Sequence, residues 1–227
     1  MYKLKNQLPF LSIMIAILEY GMGNIRSVQK ALKKIGVESV ITNEKELIEE
    51  AEGLIIPGVG HFGQAMENLN QLGLTELIRK KKEPILGICL GMQLLFSSSE
   101  EASGIGGLRL IKGKVIRFRG GNIKLPHIGW NNVYKDPDDP DGKAKTRILD
   151  GIEDNSDFYF VHSYHATLEK NMADKDEKVL YSDYGYQFVS AYENSRIFAT
   201  QFHPEKSQDN GMRILKNFVR VVTDVKD

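Results

Sequence analysis

Short apolar runs and stretches of helical spacing alternate through the first half of the chain. Ser12–Leu18 reads as a strand buried on both faces. Asn24 stands where a helix N-cap is expected, ahead of an apolar face of Ile25, Val28, Leu32 and Ile35. "SVIT" is a second strand, and Asn43 is placed to cap "EKELIEEAE". "GLIIPG" is a third strand, ending at Pro57-Gly58, and one long helix is expected from about Phe62 to Lys82. "PILGI" is a fourth strand, and Cys89 opens another helix. Such β-α alternation predicts a parallel sheet covered by helices.

The second half is strand-rich. "KVIRFRG", "IGWNNVY", "DFYFVHSYHAT" and "KVLYSDYG" precede a hairpin in "YQFVSAYENSRIFATQFH" that turns at Glu193-Asn194-Ser195. Asp209–Val222 is a final amphipathic helix. "KDPDDPDGKAK", residues 135–145, reads as an exposed excursion; with Gly142 sixth, a calcium loop would need a carboxylate where Pro137 stands. "RKKKE" at 79–83 reads as a solvated helix end.

Composition narrows the classes. The 227 residues suit one α/β domain, expected over 13–227 after an extension at 1–12. Thirty basic and thirty acidic residues cancel, which gives no broad attraction to nucleic acid or anionic lipid. Lys3 and Lys5 ahead of an apolar stretch loosely resemble a signal peptide, but Gln7 and Pro9 interrupt it and no small-residue cleavage site follows; Met14 is an alternative start. A single cysteine forms no internal disulfide, so a cytoplasmic, reducing compartment is expected.

That cysteine stands in "GICLG", between a predicted strand and a predicted helix. Gly87 and Gly91 permit the sharp turn that projects a nucleophile, as in Gly-x-Ser-x-Gly elbows. A helix N-terminus beneath the sulfur favours the thiolate. The N–H of Leu90 is then placed to receive an oxyanion. Without that context Cys89 would be an inert small hydrophobe.

A thiolate nucleophile needs a base. Of five histidines, His203 has the best context: it closes "RIFATQF" and begins "HPEKS", with Glu205 two residues on to orient and charge-stabilise its ring. His127 and His162 read as packed polar residues, His61 as a helix cap and His165 as exposed. No spacing among them suits a metal, and no metal or cofactor is expected. The "PGVG" turn, Pro57–Gly60, ends a parallel strand, so it should face the same crevice as Cys89. "EYGMGN" resembles a dinucleotide fingerprint only in part, because the third glycine position is Arg26.

"PGVGHFGQAM", "GICLGMQLL" and "QFHPEKS", in that order, resemble the class I glutamine amidotransferases of the Cys-His-Glu type. "YGMGNIRSV", "PGVG", "LPHIGWN" and "FYFVHSY" resemble more narrowly the glutaminase subunits of imidazole glycerol phosphate synthases, which serve histidine biosynthesis. The resemblance implies a flavodoxin-like, mostly parallel open sheet with helices on both faces and an antiparallel extension. It implies Cys89, His203 and Glu205 as the triad, and an oxyanion hole from Leu90 and the Gly58-Val59 turn, the turn flipping when a partner docks. Gln93, Glu101 and Ser163 would hold the amino-acid end of glutamine. Asn24, Trp130 and Lys206 match interface positions toward a (β/α)8 barrel partner, a heterodimer through which ammonia passes.

The N-terminal extension and the 135–145 loop depart from the resembled pattern. They keep open a second acceptor, in which a paralogous glutaminase feeds a sugar-modifying amidotransferase of surface-polysaccharide synthesis. A cysteine peptidase or redox sensor on the same elbow, or a binding module with a structural Cys89, are the readings from other classes.

Overall fold

The computed structural model describes residues 13–121, 123–136, 146–169 and 176–224. The expected extension at 1–12 and most of the 135–145 loop lie outside the described residues. The first half runs β1 (Ile15–Leu18), α1 (Ile25–Lys34), β2 (Ser39–Thr42), α2 (Lys45–Glu50), β3 (Gly53–Gly58), α3 (Phe62–Gln71), α4 (Thr75–Lys80), β4 (Ile85–Cys89) and α5 (Leu90–Leu94). The second half runs β5 (Gly113–Arg117), β6 (His127–Lys135), β7 (Ser156–His162), β8 (Tyr164–Leu168), β9 (Lys178–Asp183), β10 (Gln187–Glu193), β11 (Ile197–Thr200) and α6 (Gln208–Asp224), with a 3-10 turn at Pro204–Lys206.

The strands lie in the order β2-β1-β3-β4-β11-β10-β9-β6-β7, with β8 joining β10 and β5 joining β8. From β2 to β11 every pairing is parallel; beyond β11 every one is antiparallel. This is the expected helix-covered, mostly parallel sheet with an antiparallel extension. Successive residues of a strand face opposite sides. Ile15 and Ile17 enter the core beneath α1 and α6, with Val28, Leu32, Ile214 and Phe218. Ala16 and Leu18 enter the other, with Phe62, Met66, Leu69 and Ile78. Each full burial of such an aliphatic or aromatic side chain contributes about 1.5–3 kcal/mol, which is why the central strands read as unbroken apolar runs.

Several local expectations change. The long helix over 62–82 is two helices. α3 ends in a Schellman motif: Gly73 takes φ +66°, its N–H reaches Asn70 O, and Leu74 N–H reaches Leu69 O. The "RKKKE" segment is not wholly solvated, because Lys81 is buried and its ammonium caps α2 through the carbonyls of Ile48 and Ala51 at 2.8 and 2.6 Å. Asn43 is not the cap of α2; Glu44 holds that position, and its N–H donates to Thr42 Oγ1. "DFYFVHSYHAT" breaks into β7 and β8 at Ser163, where the chain leaves β6 as partner and joins β5 and β10.

Parallel register makes the crevice. Gly58, last in β3, lies beside Cys89, last in β4. On the other side β4 pairs with β11 up to Ile88 opposite Thr200, so the chain leaving β11 runs past Cys89.

Candidate active site

Cys89 sits on a sharp elbow between β4 and α5, with φ 54° and ψ −109°. A non-glycine residue held at positive φ is strained, and such strain concentrates at functional positions. Gly87 and Gly91 serve close packing: a Cβ on Gly91 would lie 1.7 Å from Ile56 O, and one on Gly87 would lie 2.8 Å from Gly91 O. α5 can therefore cross directly over β3 and set Leu90 N at the start of a helix beside the sulfur.

His203, the expected base, arrives from the chain beyond β11. His203 is almost fully buried, and its backbone N–H donates to Tyr159 O at 2.9 Å. Ser207 Oγ donates to His203 O at 2.7 Å, clamping the 3-10 turn that carries Glu205. His203 Nδ1 donates to Glu205 Oε1 at 2.8 Å, which leaves Nε2 as the free ring nitrogen. Burial opposes a charge on this ring, but the neighbouring Cys89 charge and then Glu205 overcome it and push the His203 pKa up to about 10. His203 is thus favoured as an imidazolium beside the sulfur.

Glu205 Oε1 has a second donor, Asn24 Nδ2 at 2.8 Å. Asn24 stands at the N-cap of α1 as expected, but in the left-handed region (φ 63°) and with no side-chain cap bond. Its amide serves the carboxylate instead. Tyr20 OH donates to Pro57 O at 2.7 Å and braces the "PGVG" turn; burial, then the Cys89 charge, raises the Tyr20 pKa.

A cleft of about 280 Å³ opens over the sulfur, and Val59, Leu90, Gln93, Glu101, Ser163 and Tyr164 are among its walls. All three residues expected to hold an amino acid therefore meet Cys89. Glu101 is anchored by Phe62 N–H, which donates to Oε2 at 2.7 Å at the start of α3. His61 caps that helix by accepting from Gly63 N, as its position predicts. Ser163 presents itself because it is the corner between β7 and β8. Gly58 closes β3 beneath the turn, while Val59 and Gly60 reach the cleft. Gln201, which sequence reasoning passed over, packs against the sulfur; its only signal was its place two residues before His203.

The interface candidates differ in exposure. Trp130 is 48% exposed and Ile128, on the same face of β6, is 60% exposed. Lys206 is exposed and its ammonium lies 5.6 Å from the Tyr159 ring centroid. Among the described residues no group of three or more His, Cys, Asp or Glu could hold a metal ion. No described helix is long and apolar enough to cross a membrane.

His165, expected to be exposed, is 2% exposed and packs its ring 4.4 Å from Phe118. It joins His127 and His162 in a buried cluster. Carbonyls only accept, so His162 Nδ1–H donates to Tyr164 O at 2.8 Å, and His127 Nδ1–H donates to His162 Nε2 at 3.1 Å. Burial pushes His127 down to about 4 and His162 to about 3, and lowers His165 as well. An unfolded histidine titrates near 6.5. Below that pH the unfolded chain takes up protons that these three folded rings refuse, so stability falls as pH falls. His203 acts oppositely: its raised pKa gives stability that is complete below 6.5 and lost as pH rises toward 10. Three rings outweigh one, and between pH 6.5 and 5.5 the protein is expected to lose about 2 kcal/mol of stability. Urea unfolding at the two pH values measures this; equal midpoints would contradict neutral buried rings.

An open parallel sheet that raises a cysteine on such an elbow, with a carboxylate-bonded imidazole nearby, has the parts that acyl transfer through a thioester requires. The chain belongs to the class-I glutamine amidotransferase family, whose model ("Glutamine amidotransferase class-I") matches residues 16–222. Within it, the chain is 47% identical over 210 residues to the imidazole glycerol phosphate synthase subunit HisH of Methanocaldococcus jannaschii, covering 92% of this chain and 100% of that protein. It is 45% identical over 214 residues to the subunit of the same name from Sulfurimonas denitrificans, covering 91% and 98%. Among solved structures, PurLQS from Thermotoga maritima shares the fold at TM-score 0.63 and 17% identity, covering 92% of this chain and 99% of that one. A glutamine amidotransferase from Thermotoga maritima shares it at TM-score 0.57 and 16% identity, covering 95% and 86%.

Proposed function

We propose that this chain is the glutaminase subunit of an imidazole glycerol phosphate synthase, releasing ammonia from L-glutamine for a (β/α)8 partner subunit. The observation that carries the reading is the meeting of Cys89 with Gln93, Glu101 and Ser163 in one cleft, with the Glu205-bonded His203 ring close enough to the sulfur to feel its charge. The names of the relatives supply the pathway.

In this mechanism the Cys89 sulfur attacks the side-chain amide carbon of glutamine. An S–C bond forms and the carbonyl electron pair moves to oxygen, where Leu90 N–H and an N–H of the Gly58-Val59 turn receive it. His203, holding the proton taken from Cys89, passes it to the amide nitrogen; the C–N bond breaks and ammonia leaves. Water, deprotonated by His203, attacks the γ-glutamyl thioester, and glutamate departs as the thiol is restored. Glu205 orients the ring. Glu101 meets the α-ammonium, and Gln93 and the Ser163 backbone complete the amino-acid site. Free ammonia would be protonated in water, so it must cross a sealed interface. The exposed Ile128–Trp130 face of β6, with Lys206 over the Tyr159 ring that packs against Trp130 and Asn24 on the adjoining Glu205, suits that docking.

The test is glutamate release from glutamine by the chain alone and with its cognate synthase subunit plus nucleotide substrate. Slow release alone and a rise of about 100-fold or more in the complex are expected, since the oxyanion turn completes only on docking. Release without any rise would overturn the pathway assignment. No release in either state would overturn the glutaminase.

A further inference from the structure

The hydrogen bonds around the sulfur form a chain whose direction is set by one backbone atom. Tyr164 O can only accept, and it accepts from His162 Nδ1 at 2.8 Å and from Gln93 Nε2 at 3.0 Å. The Gln93 amide is thereby oriented: its NH2 group, not its oxygen, faces Tyr164. The second Gln93 N–H meets the side chain of Gln201 at 3.0 Å. Gln201 must answer with its oxygen, because an NH2 there would set donor against donor. Its own NH2 group then points at Cys89 Sγ, at 3.7 Å. Gln201 is fully buried, so neither amide can turn to water without losing a bond it cannot replace. The backbone holds it too, with Gln201 N–H on Ser190 O at 2.8 Å.

Two consequences meet at the cleft. With both Gln93 N–H groups engaged, the Gln93 oxygen is the polar atom left for the pocket that Gln93 lines. That atom selects a donor, such as an α-ammonium group. At the sulfur, the thiol hydrogen points to Val161 O at 3.8 Å, a contact that favours the protonated form. The Gln201 N–H is the opposing contact, since it strengthens when the sulfur becomes an anion.

We propose that Gln201 is a positioning residue that acts on both ends of the substrate at once. Its NH2 group stabilises the Cys89 thiolate, and its oxygen locks Gln93 with the carbonyl toward the amino-acid end of glutamine. The substrate half of this assignment rests on the glutaminase reading above; the sulfur half does not.

The test uses Gln201→Met, which keeps the length and approximate volume but can neither donate nor accept at these sites. Alkylation of Cys89 by iodoacetamide is followed against pH, and kcat and KM for glutamine are measured in the complex with the synthase subunit. Alkylation at pH 7 is expected to slow about tenfold, with the pH profile displaced upward by about one unit. KM for glutamine is expected to rise about tenfold as Gln93 loses its orientation. Gln93→Met should raise KM but displace the alkylation profile less than Gln201→Met does, because Gln201 keeps an NH2 group that can reach the sulfur and loses only the donor that orients it. Gln201→Asn, whose arm is one methylene too short to reach both partners, should move both readouts in the same direction and serves if methionine impairs folding. A Gln201 variant with the parent's alkylation profile and KM would overturn the proposal. If the parent does not hydrolyse glutamine, the function falls, but the alkylation profile still decides the thiolate role.

Discussion

Replacing Cys89 with alanine is expected to lower glutamate release by about 10⁴-fold or more while the protein stays folded. The sulfur is the only group in the cleft that can form the thioester, so nothing else in the walls can substitute for it. The structural loss is small. Sγ makes two long contacts, to Val161 O at 3.8 Å and from Gln201 Nε2 at 3.7 Å, and alanine at the elbow is no more strained than cysteine. A void of one sulfur in this core costs about 1 kcal/mol. Steady-state glutamate release and a thermal melt, run on the same preparation, separate the two effects. Activity within tenfold of the parent would remove Cys89 from the chemistry.

Gly91→Ala is expected to have the largest effect on folding. Its Cβ would stand 1.7 Å from Ile56 O and 2.7 Å from the Ile56 carbonyl carbon, both backbone atoms of β3 that cannot rotate away. α5 would have to lift from the sheet and carry the start of the helix, Leu90 included, away from the sulfur. Overpacking against backbone costs about 3 kcal/mol or more, a large part of a domain's net stability. Urea unfolding, with glutaminase activity on whatever folded protein is recovered, measures both outcomes. A variant with the parent's stability would mean that the helix–strand crossing is looser than the structure has it.

Most of the architecture was legible from the order of apolar runs. Central strands are buried on both faces, so "GLIIPG" and "PILGI" stand out without alternation; "SVIT" lies at the sheet edge, half-buried, and stands out by its β-branched residues, and all three form strands where expected. The expectations that failed share a cause. Gly73 in "QLGLT" signals a helix C-terminus, but helical spacing of apolar residues continues across it, so periodicity alone ran α3 into α4. Lys81 belongs to a basic run whose charge suggested solvent; its burial depends on the bare carbonyls of α2, some thirty residues earlier in the chain. His165 sits in a strand of mixed character, and only the packing of Phe118 and Tyr186 around it encloses the ring.

The sequence by itself determined the strand-helix order, the glycine-framed cysteine and the His-x-Glu pair, because each is written in neighbours a few residues apart. Spacing of that kind constrains local backbone and side-chain chemistry. Only the tertiary structure decided what those groups meet. The parallel pairing of β4 with β11 sets Gln201 against Cys89 across 112 residues, and the return of α1 sets Asn24 on Glu205 across 181. Asn24 looked like a helix cap and Gln201 like part of a strand, because a side-chain amide carries no local mark of its partner. Which donors and acceptors an amide finds is settled when sheet register brings distant segments within hydrogen-bond reach, and burial then holds them there.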